Sequence, residues 1–304
     1  MTQTFHSGFV AIVGRPNVGK STFVNQVVGH KVAIVTARPQ TTRNRILGIV
    51  NRPDAQAILI DTPGIHRGGS ALGRLMMGEV SQALEGIDLM GVMIDAREGV
   101  TSGDRLAFDR VRQFRGPVFL LLNKIDRVAK ASLLPLLATC EKEGLFTEMI
   151  PISALSGDGV EITLQRFIDH LPEGQPYFAE DQFTDQPERF LASEIVREKA
   201  MTATRQEVPQ ALAVIVESFE EGEKLIRISA NIHVEREGQK GILIGHAGER
   251  LKEIGTAARK ELEELLGVKV FLELRVKVAP DWREDPRVVR QLDWRNQLER
   301  LGGQ

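Results

Sequence analysis

Through the first half of the chain, short β-branched and apolar runs alternate with segments whose apolar residues recur every three or four positions. Phe9–Val13, Gln56–Ile60, Leu89–Asp95, Val118–Leu122 and Glu148–Ile152 read as strands, each a mostly apolar run of strand length bounded by turn residues. Lys20–Val28, Leu72–Leu84, Gly103–Gln113, Ala131–Glu143 and Val160–Leu171 read as helices. Connections of this length predict parallel strands joined by crossover helices. Residues 1–172 are therefore expected to form an α/β domain with a doubly wound, mostly parallel sheet, whose ligands sit beyond the carboxyl ends of the strands.

Periodicity stops at Pro172-Glu173-Gly174-Gln175-Pro176 and does not return before Pro187, so residues 173–186 read as a linker. A second, α+β block follows over 187–304: a helix from Pro187 to Thr204, strands at Ala211–Phe219 and Lys224–Val234, a helix at Gly248–Leu266 and a strand at Lys269–Val278. The tail, Ala279–Gln304, is charged and only weakly helical in pattern. No solenoid-period repeat and no low-complexity tract interrupts this order.

Composition narrows the classes. With 304 residues, 42% hydrophobic and 26% charged, the chain suits two folded domains of ordinary size. The longest apolar runs, such as Pro117–Leu122, are too short to span a bilayer, and the N-terminus lacks a signal-peptide pattern, so a cytoplasmic protein is expected. The single cysteine, Cys140, has no disulfide partner and no Cys or His cluster beside it, and reads as a half-buried helix residue.

The first strand runs into Gly14-Arg15-Pro16-Asn17-Val18-Gly19-Lys20-Ser21-Thr22, which fits G-x-x-x-x-G-K-[ST]. In such a loop the glycines let backbone N–H groups turn inward around phosphate oxygens, Lys20 reaches the β/γ-phosphates and the Ser21 hydroxyl ligates Mg²⁺. The second strand ends in Asp61-Thr62-Pro63-Gly64, where Asp61 can hold Mg²⁺ through its waters and the Gly64 N–H can sense a γ-phosphate. Between them, Arg38-Pro39-Gln40-Thr41-Thr42-Arg43-Asn44-Arg45 is polar and basic with no apolar face, a candidate mobile switch. A hydroxyl here would complete the Mg²⁺ shell, Thr42 being favoured and Thr41 the alternative; Arg43 and Arg45 are either solvated or functional. Lys20, Thr42 and Gly64 are thus the expected catalytic set.

Asn123-Lys124-Ile125-Asp126 decides the base. Guanine presents N1–H and N2–H₂ side by side, so Asp126 can accept from both, whereas adenine has no such donor pair and would leave a carboxylate unpaired. Lys124 can lie over the purine, Asn123 can pin neighbouring loops, and a backbone N–H of Ser153-Ala154 can donate to guanine O6.

These ordered motifs resemble the translation-factor-related GTPases. Gly-Arg-Pro-Asn-Val-Gly-Lys-Ser, Gln-Thr-Thr-Arg, Asp-Thr-Pro-Gly and Asn-Lys-Ile-Asp, with the block that begins Glu188-Arg189-Phe190-Leu191-Ala192-Ser193-Glu194-Ile195-Val196-Arg197-Glu198-Lys199, resemble one family over nearly the whole chain: the Era family of bacterial ribosome-assembly GTPases. The resemblance implies GTP as substrate, GDP as product, the 3′ end of small-subunit ribosomal RNA and the small ribosomal subunit as partners, and a monomer. Two alternatives are a nucleotide-sensing protein without useful turnover and a membrane-associated cell-cycle GTPase, peripheral on the inner membrane. Related potassium-stimulated enzymes carry a K⁺ ligand at the position of Asn17, and Ile65 stands where Ras-like enzymes carry a water-orienting Gln.

In the second block, 20 Lys plus Arg face 21 Asp plus Glu over 187–304, so any basic RNA footprint must be local. Lys240-Gly241-Ile242-Leu243-Ile244-Gly245-His246-Ala247-Gly248-Glu249-Arg250-Leu251-Lys252 reads as an apolar segment, a G-x-x-G turn and a helix. This resembles the RNA clamp of a type II KH domain, which implies RNA contacts at Gly245, His246, Ala247, Gly248, Arg250 and Lys252. The middle of a KH turn is often basic; here it is His246 and Ala247, so Arg250, Lys252, Arg259 and Lys260 would have to supply the phosphate attraction.

Overall fold

The computed structural model describes residues 4–66, 69–205 and 208–295. Contacts divide the chain into two units, Met1–Val35 with Thr42–Gly68 and Met76–Asp185, and Thr36–Thr41 with Gly69–Leu75 and Gln186–Gln304.

Up to Asp185 the chain runs β1 (His6–Val13), α1 (Lys20–Val28), β2 (Ile46–Arg52), β3 (Ala55–Asp61), α2 (Ala71–Ala83, its residues up to Leu75 falling in the second unit), β4 (Leu89–Asp95), α3 (Ser102–Val111), β5 (Val118–Asn123), α4 (Lys130–Glu141), β6 (Glu148–Pro151) and α5 (Val160–Ile168). The six strands lie in the order β2-β3-β1-β4-β5-β6, all parallel except β2 against β3. Strands β3, β4 and β5 are buried along their whole length, which accounts for their continuous apolar character: helices cover both faces of a parallel sheet. One layer joins Val10, Ile12, Leu59, Phe119 and Leu121 to Phe23 and Phe167, and the other joins Ala11, Val92, Leu120 and Leu122 to Phe108. Each of these Val, Leu, Ile and Phe side chains contributes about 1.5–3 kcal/mol by burial.

Three features depart from the expectation. Strand β2 is absent from the sequence reading because its seven residues follow a polar run and contain Gly48. That glycine is required by packing, since a Cβ there would lie 2.7 Å from Val28 and 2.8 Å from Val24 of α1. The stretch read as a linker does not hang free, and residues up to Asp185 belong to the first unit. Buried Gln56 accepts from the N–H groups of Tyr177 (2.7 Å) and Phe178 (3.0 Å), Ile49 N–H donates to Phe183 (2.9 Å), and Thr184 Oγ1 donates to Leu47 (2.8 Å). An edge strand exposes a row of unpaired backbone groups, and this segment caps them. Cys140 is fully rather than half buried, and burial pushes its thiol up to about 11.

The second unit orders α6 (Glu188–Ala203), β7 (Ala213–Glu220), β8 (Leu225–Val234), α7 (Glu237–Ile244), α8 (Glu249–Leu266), β9 (Lys269–Val278) and α9 (Pro286–Arg290). Its sheet runs β7-β8-β9, antiparallel then parallel, with a core of Ile195, Val196, Ile228, Ile232, Ile254, Ala258 and Leu262. Helix α7 replaces the apolar segment expected before the G-x-x-G turn; with two glycines and only eight residues it carries too short a period to read. The tail to residue 295 is packed: Trp282 is buried with Nε1 donating to the Ala211 carbonyl (2.8 Å), and Arg283 grips Glu235 through two bonds (2.8 and 2.6 Å). Residues 296–304 of the expected tail lie outside the described residues. Within this unit Arg197, 2% exposed and paired with Glu194 at 2.6 Å, donates to the Thr41 carbonyl.

Candidate nucleotide and RNA sites

The phosphate loop leaves β1 at Val13 and enters α1 at Lys20. Asn17 (φ 64°) and Gly19 (φ 109°) are left-handed, and a Cβ on Gly19 would lie 2.2 Å from Asn123 Nδ2. No side chain caps α1, so its first N–H groups are left for an anion. Lys20 is buried, with Nζ donating to the carbonyls of Gly14 and Arg15, both at 3.1 Å; burial lowers its pKa to about 8, against the pull of Asp61. Arg15 enters the site through its backbone alone, because its guanidinium turns to Glu98 (2.9 Å) and Asp104 (3.3 Å). Pro16, Val18 and Thr22 complete the loop and the first turn of α1, with Val18 buried.

Ser21, Thr42 and Asp61 converge. Ser21 Oγ lies 2.8 Å from Thr42 Oγ1 and donates to Asp61 Oδ2 at 2.6 Å, while Thr42 donates to the same oxygen at 3.3 Å. Burial raises the Asp61 pKa to about 6, with Lys20 and the two hydroxyls working against it, and its Oδ1 is buried without a hydrogen-bond partner. Thr41 turns away, its hydroxyl bonded to Thr36 (2.7 Å) and to the Arg38 carbonyl (2.8 Å). Arg43 is buried and so is not a simply solvated arginine, while Arg45 is half-buried and its backbone N–H donates to Glu79 at 2.8 Å. Gly64 abuts the phosphate loop so closely that a Cβ would lie 2.7 Å from Pro16 N and Cα, and Ile65 is buried in the core beside it.

At the base end, Asn123 Nδ2 donates to the Val18 carbonyl (2.7 Å) and its Oδ1 accepts the Ala154 N–H (2.9 Å). The Ser153 N–H donates to Asp158 (2.8 Å). Both N–H groups of the pair, one of which was expected to serve guanine O6, are therefore already engaged, and Ala154 could serve it only by sharing with Asn123. Ser153 instead acts through its hydroxyl, which donates to Asp126 Oδ1 at 2.7 Å, a contact sequence reasoning missed. It also missed Asp95, the last residue of β4, whose carboxylate accepts from Lys124 Nζ at 2.8 Å; its place at a strand end was the available signal.

The G-x-x-G turn lies between α7 and α8, with Gly245 (φ 73°), Ala247 (φ 50°) and Gly248 (φ 81°) all left-handed. His246, Ala247 and Lys252 are exposed. A Cβ on Gly245 would lie 2.8 Å from Arg250 Cβ, whereas one on Gly248 would meet nothing within 4 Å. Arg250 Nη1 donates to the Ile242 carbonyl at 2.6 Å, so part of this guanidinium closes the end of α7 rather than facing a phosphate.

Fold and site together define a phosphate-loop GTP-binding unit joined to a KH unit. A 50S ribosome-binding GTPase family model matches residues 9–124, and a KH domain model matches 207–283. The chain is 47% identical over 292 residues to GTPase Era of Syntrophus aciditrophicus, covering 95% of each, and 46% identical over 289 residues to that of Staphylococcus haemolyticus, covering 95% of this chain and 97% of the relative. The fold matches a crystal structure of Era with MgGDPNP and nucleotides 1506–1542 of 16S ribosomal RNA (TM-score 0.93, 44% identity, 95% of this chain and 99% of that one). It also matches a point variant of Aquifex aeolicus Era bound to GDP·AlF4⁻ (TM-score 0.92, 44% identity, 95% and 99%). The chain belongs to the Era family of GTPases, and its enzymatic reaction is the hydrolysis of GTP to GDP and phosphate.

Proposed function

We propose that this chain couples GTP hydrolysis to recognition of small-subunit ribosomal RNA near its 3′ end, and so assists assembly of the small ribosomal subunit. The observation that carries this reading is the presence, in one chain, of Ser21, Thr42 and Asp61 gathered beside a phosphate loop and of an exposed G-x-x-G turn; the relative bound to a 16S fragment matches over nearly the whole length of both chains. Ser21, Thr42 and Asp61 suit Mg²⁺: one carboxylate with a free oxygen beside two hydroxyls is a hard-oxygen set that leaves room for waters and phosphate oxygens. Mg²⁺ held there would neutralise charge developing on the phosphates. Lys20 and the N–H groups of Asn17 to Ser21 cradle the β/γ-phosphates, Gly64 N–H meets the γ-phosphate, and Asp126 accepts from guanine. Co-sedimentation of the purified protein tests the partner. In the GTP-bound state it should pellet with small subunits, and bound-RNA sequencing should recover the 3′ end of their RNA; association with large subunits alone, or with anionic vesicles in place of ribosomal particles, would overturn the proposal. Among the described residues no helix is long and apolar enough to cross a membrane.

Ile65 is 6% exposed and cannot orient water by hydrogen bonding, so intrinsic hydrolysis is slow and its acceleration electrostatic. Asn17 is exposed at the left-handed turn of the phosphate loop, where a side-chain oxygen could ligate K⁺. Multiple-turnover phosphate release should be faster in KCl than in NaCl at equal ionic strength, with the difference lost in Asn17→Ala. Equal rates in the two salts would leave Asn17 a loop-shaping residue.

A further inference from the structure

Asp95 closes β4 with its side chain fully buried, and in the parallel register it stands beside Asn123 of β5. Both carboxylate oxygens are occupied. Oδ1 accepts from Arg97 N and Nε, each at 3.0 Å, and Oδ2 accepts from Arg97 Nη2 at 2.6 Å and from Lys124 Nζ at 2.8 Å. Burial by itself would favour the neutral acid, but the hydrogen bonds from Arg97 and Lys124 outweigh it and hold the carboxyl well below the usual carboxylate range.

Lys124 has φ 70°, a left-handed conformation that persists at a non-glycine residue only where its surroundings over-determine it. Its ammonium adds to the backbone bonds that hold it there, because besides Asp95 it donates to the Asn17 carbonyl at 2.7 Å. Asn17 is itself left-handed at φ 64°. One cation therefore ties three chain segments together: the end of β4, the loop that reads the base and the loop that holds the phosphates. An ammonium on a four-carbon stem has many rotamers, and a buried anion at a strand end selects the one that reaches Asn17.

We propose that Asp95 is a positioning residue for nucleotide binding: its carboxylate fixes Lys124, and through Lys124 it locks the base-reading loop to the phosphate loop before nucleotide arrives. The inference rests on the nucleotide-site reading above. Preorganisation of this kind acts mainly on the rate of nucleotide release, since a loosened pocket forfeits contacts already made. Arg97, whose side chain is 37% exposed, holds the same carboxylate and acts on Asp126 of the base-reading loop through charge; its loss leaves the Asp95–Lys124 bond in place.

The test is a double-mutant cycle on the full chain, read by release of N-methylanthraniloyl-GDP and by its Kd. Asp95→Ala should accelerate release and weaken binding about tenfold, equivalent to about 1.4 kcal/mol. Lys124→Ala should do at least as much, and Asp95→Ala combined with Lys124→Ala should be no worse than Lys124→Ala alone, because Asp95 acts only through that ammonium. Arg97→Ala, which removes two of the four bonds to the carboxylate but not the one from Lys124, should weaken binding less than Asp95→Ala does. Should Asp95→Ala fail to fold, Asp95→Asn keeps the volume and should still release nucleotide faster than the parent. Additive losses in the cycle, or parental affinity in a folded Asp95 variant, would overturn the proposal. Loss of affinity in Lys124→Ala and Asp126→Asn but not in Asp95→Ala sinks this inference alone; parental affinity in all three sinks the nucleotide-site reading with it.

Discussion

Asp126→Asn is expected to bind GTP about a thousandfold more weakly than the parent and to gain affinity for XTP, since two hydrogen bonds to a charged acceptor contribute roughly 1.5–3 kcal/mol each. The structure sharpens the direction of this change. Ser153 Oγ accepts the Ser156 N–H at 3.2 Å and donates its own proton to Asp126 Oδ1 at 2.7 Å. An asparagine at 126 keeps the bond from Ser153 by turning its carbonyl toward that hydroxyl, which leaves its NH₂ facing the base. That NH₂ opposes the N–H donors of guanine and suits the additional carbonyl of xanthine. Competition of unlabelled GTP and XTP against a fluorescent guanine nucleotide measures both changes, and undiminished GTP affinity with no gain for XTP removes Asp126 from base recognition.

The second large effect concerns RNA. Gly245→Asp would place a carboxylate where a phosphate should approach, but Gly245 is left-handed and its Cβ would meet Arg250, so the variant also disturbs the junction of α7 and α8. His246→Asp combined with Ala247→Asp is the cleaner probe, because both positions are exposed. Aspartate tolerates the left-handed conformation required at 247. Two negative charges at the mouth of the turn should lower the affinity for single-stranded RNA by about tenfold or more, at least roughly 1.4 kcal/mol, with the thermal melt of the parent retained. Parental binding should itself weaken as salt rises, as phosphate contacts require. Arg250→Ala carries a mixed signature, since its guanidinium also closes α7 through the Ile242 carbonyl. It should flatten the salt slope by about one unit only if the remaining N–H groups reach a phosphate. RNA affinity unchanged by the double aspartate would reduce Gly248 to a helix cap.

Much of the nucleotide site was legible because its signals are contiguous. Gly14 to Thr22, Asp61 to Gly64 and Asn123 to Asp126 each end a strand whose apolar run announces it, and backbone geometry alone brings strand ends to one edge of a parallel sheet. Helix α1 at Lys20–Val28 and strand β9 at Lys269–Val278 fall where periodicity put them. Strand β2 and helix α7 were not legible, because each is short, contains glycine and takes its shape from what packs against it.

Side-chain direction belonged to the tertiary structure throughout. Thr41 and Thr42 are chemically interchangeable in sequence, and only the position of Asp61 across the sheet separates the hydroxyl that reaches it from the one that bonds Thr36. Nothing near Asp95 in the chain names Lys124, 29 residues on, as its partner, or shows that Ser153 would hold Asp126 by its hydroxyl. The stretch 173–186 looked like a linker because its polar residues lack periodicity, yet Phe183 and Thr184 within it satisfy the open edge of β2, a demand visible only once that strand exists. Local order along the chain thus determined the class of fold and the chemistry of the nucleotide pocket. Long-range contacts, which no local spacing encodes, decided which of several equivalent groups point into it and which segments brace it.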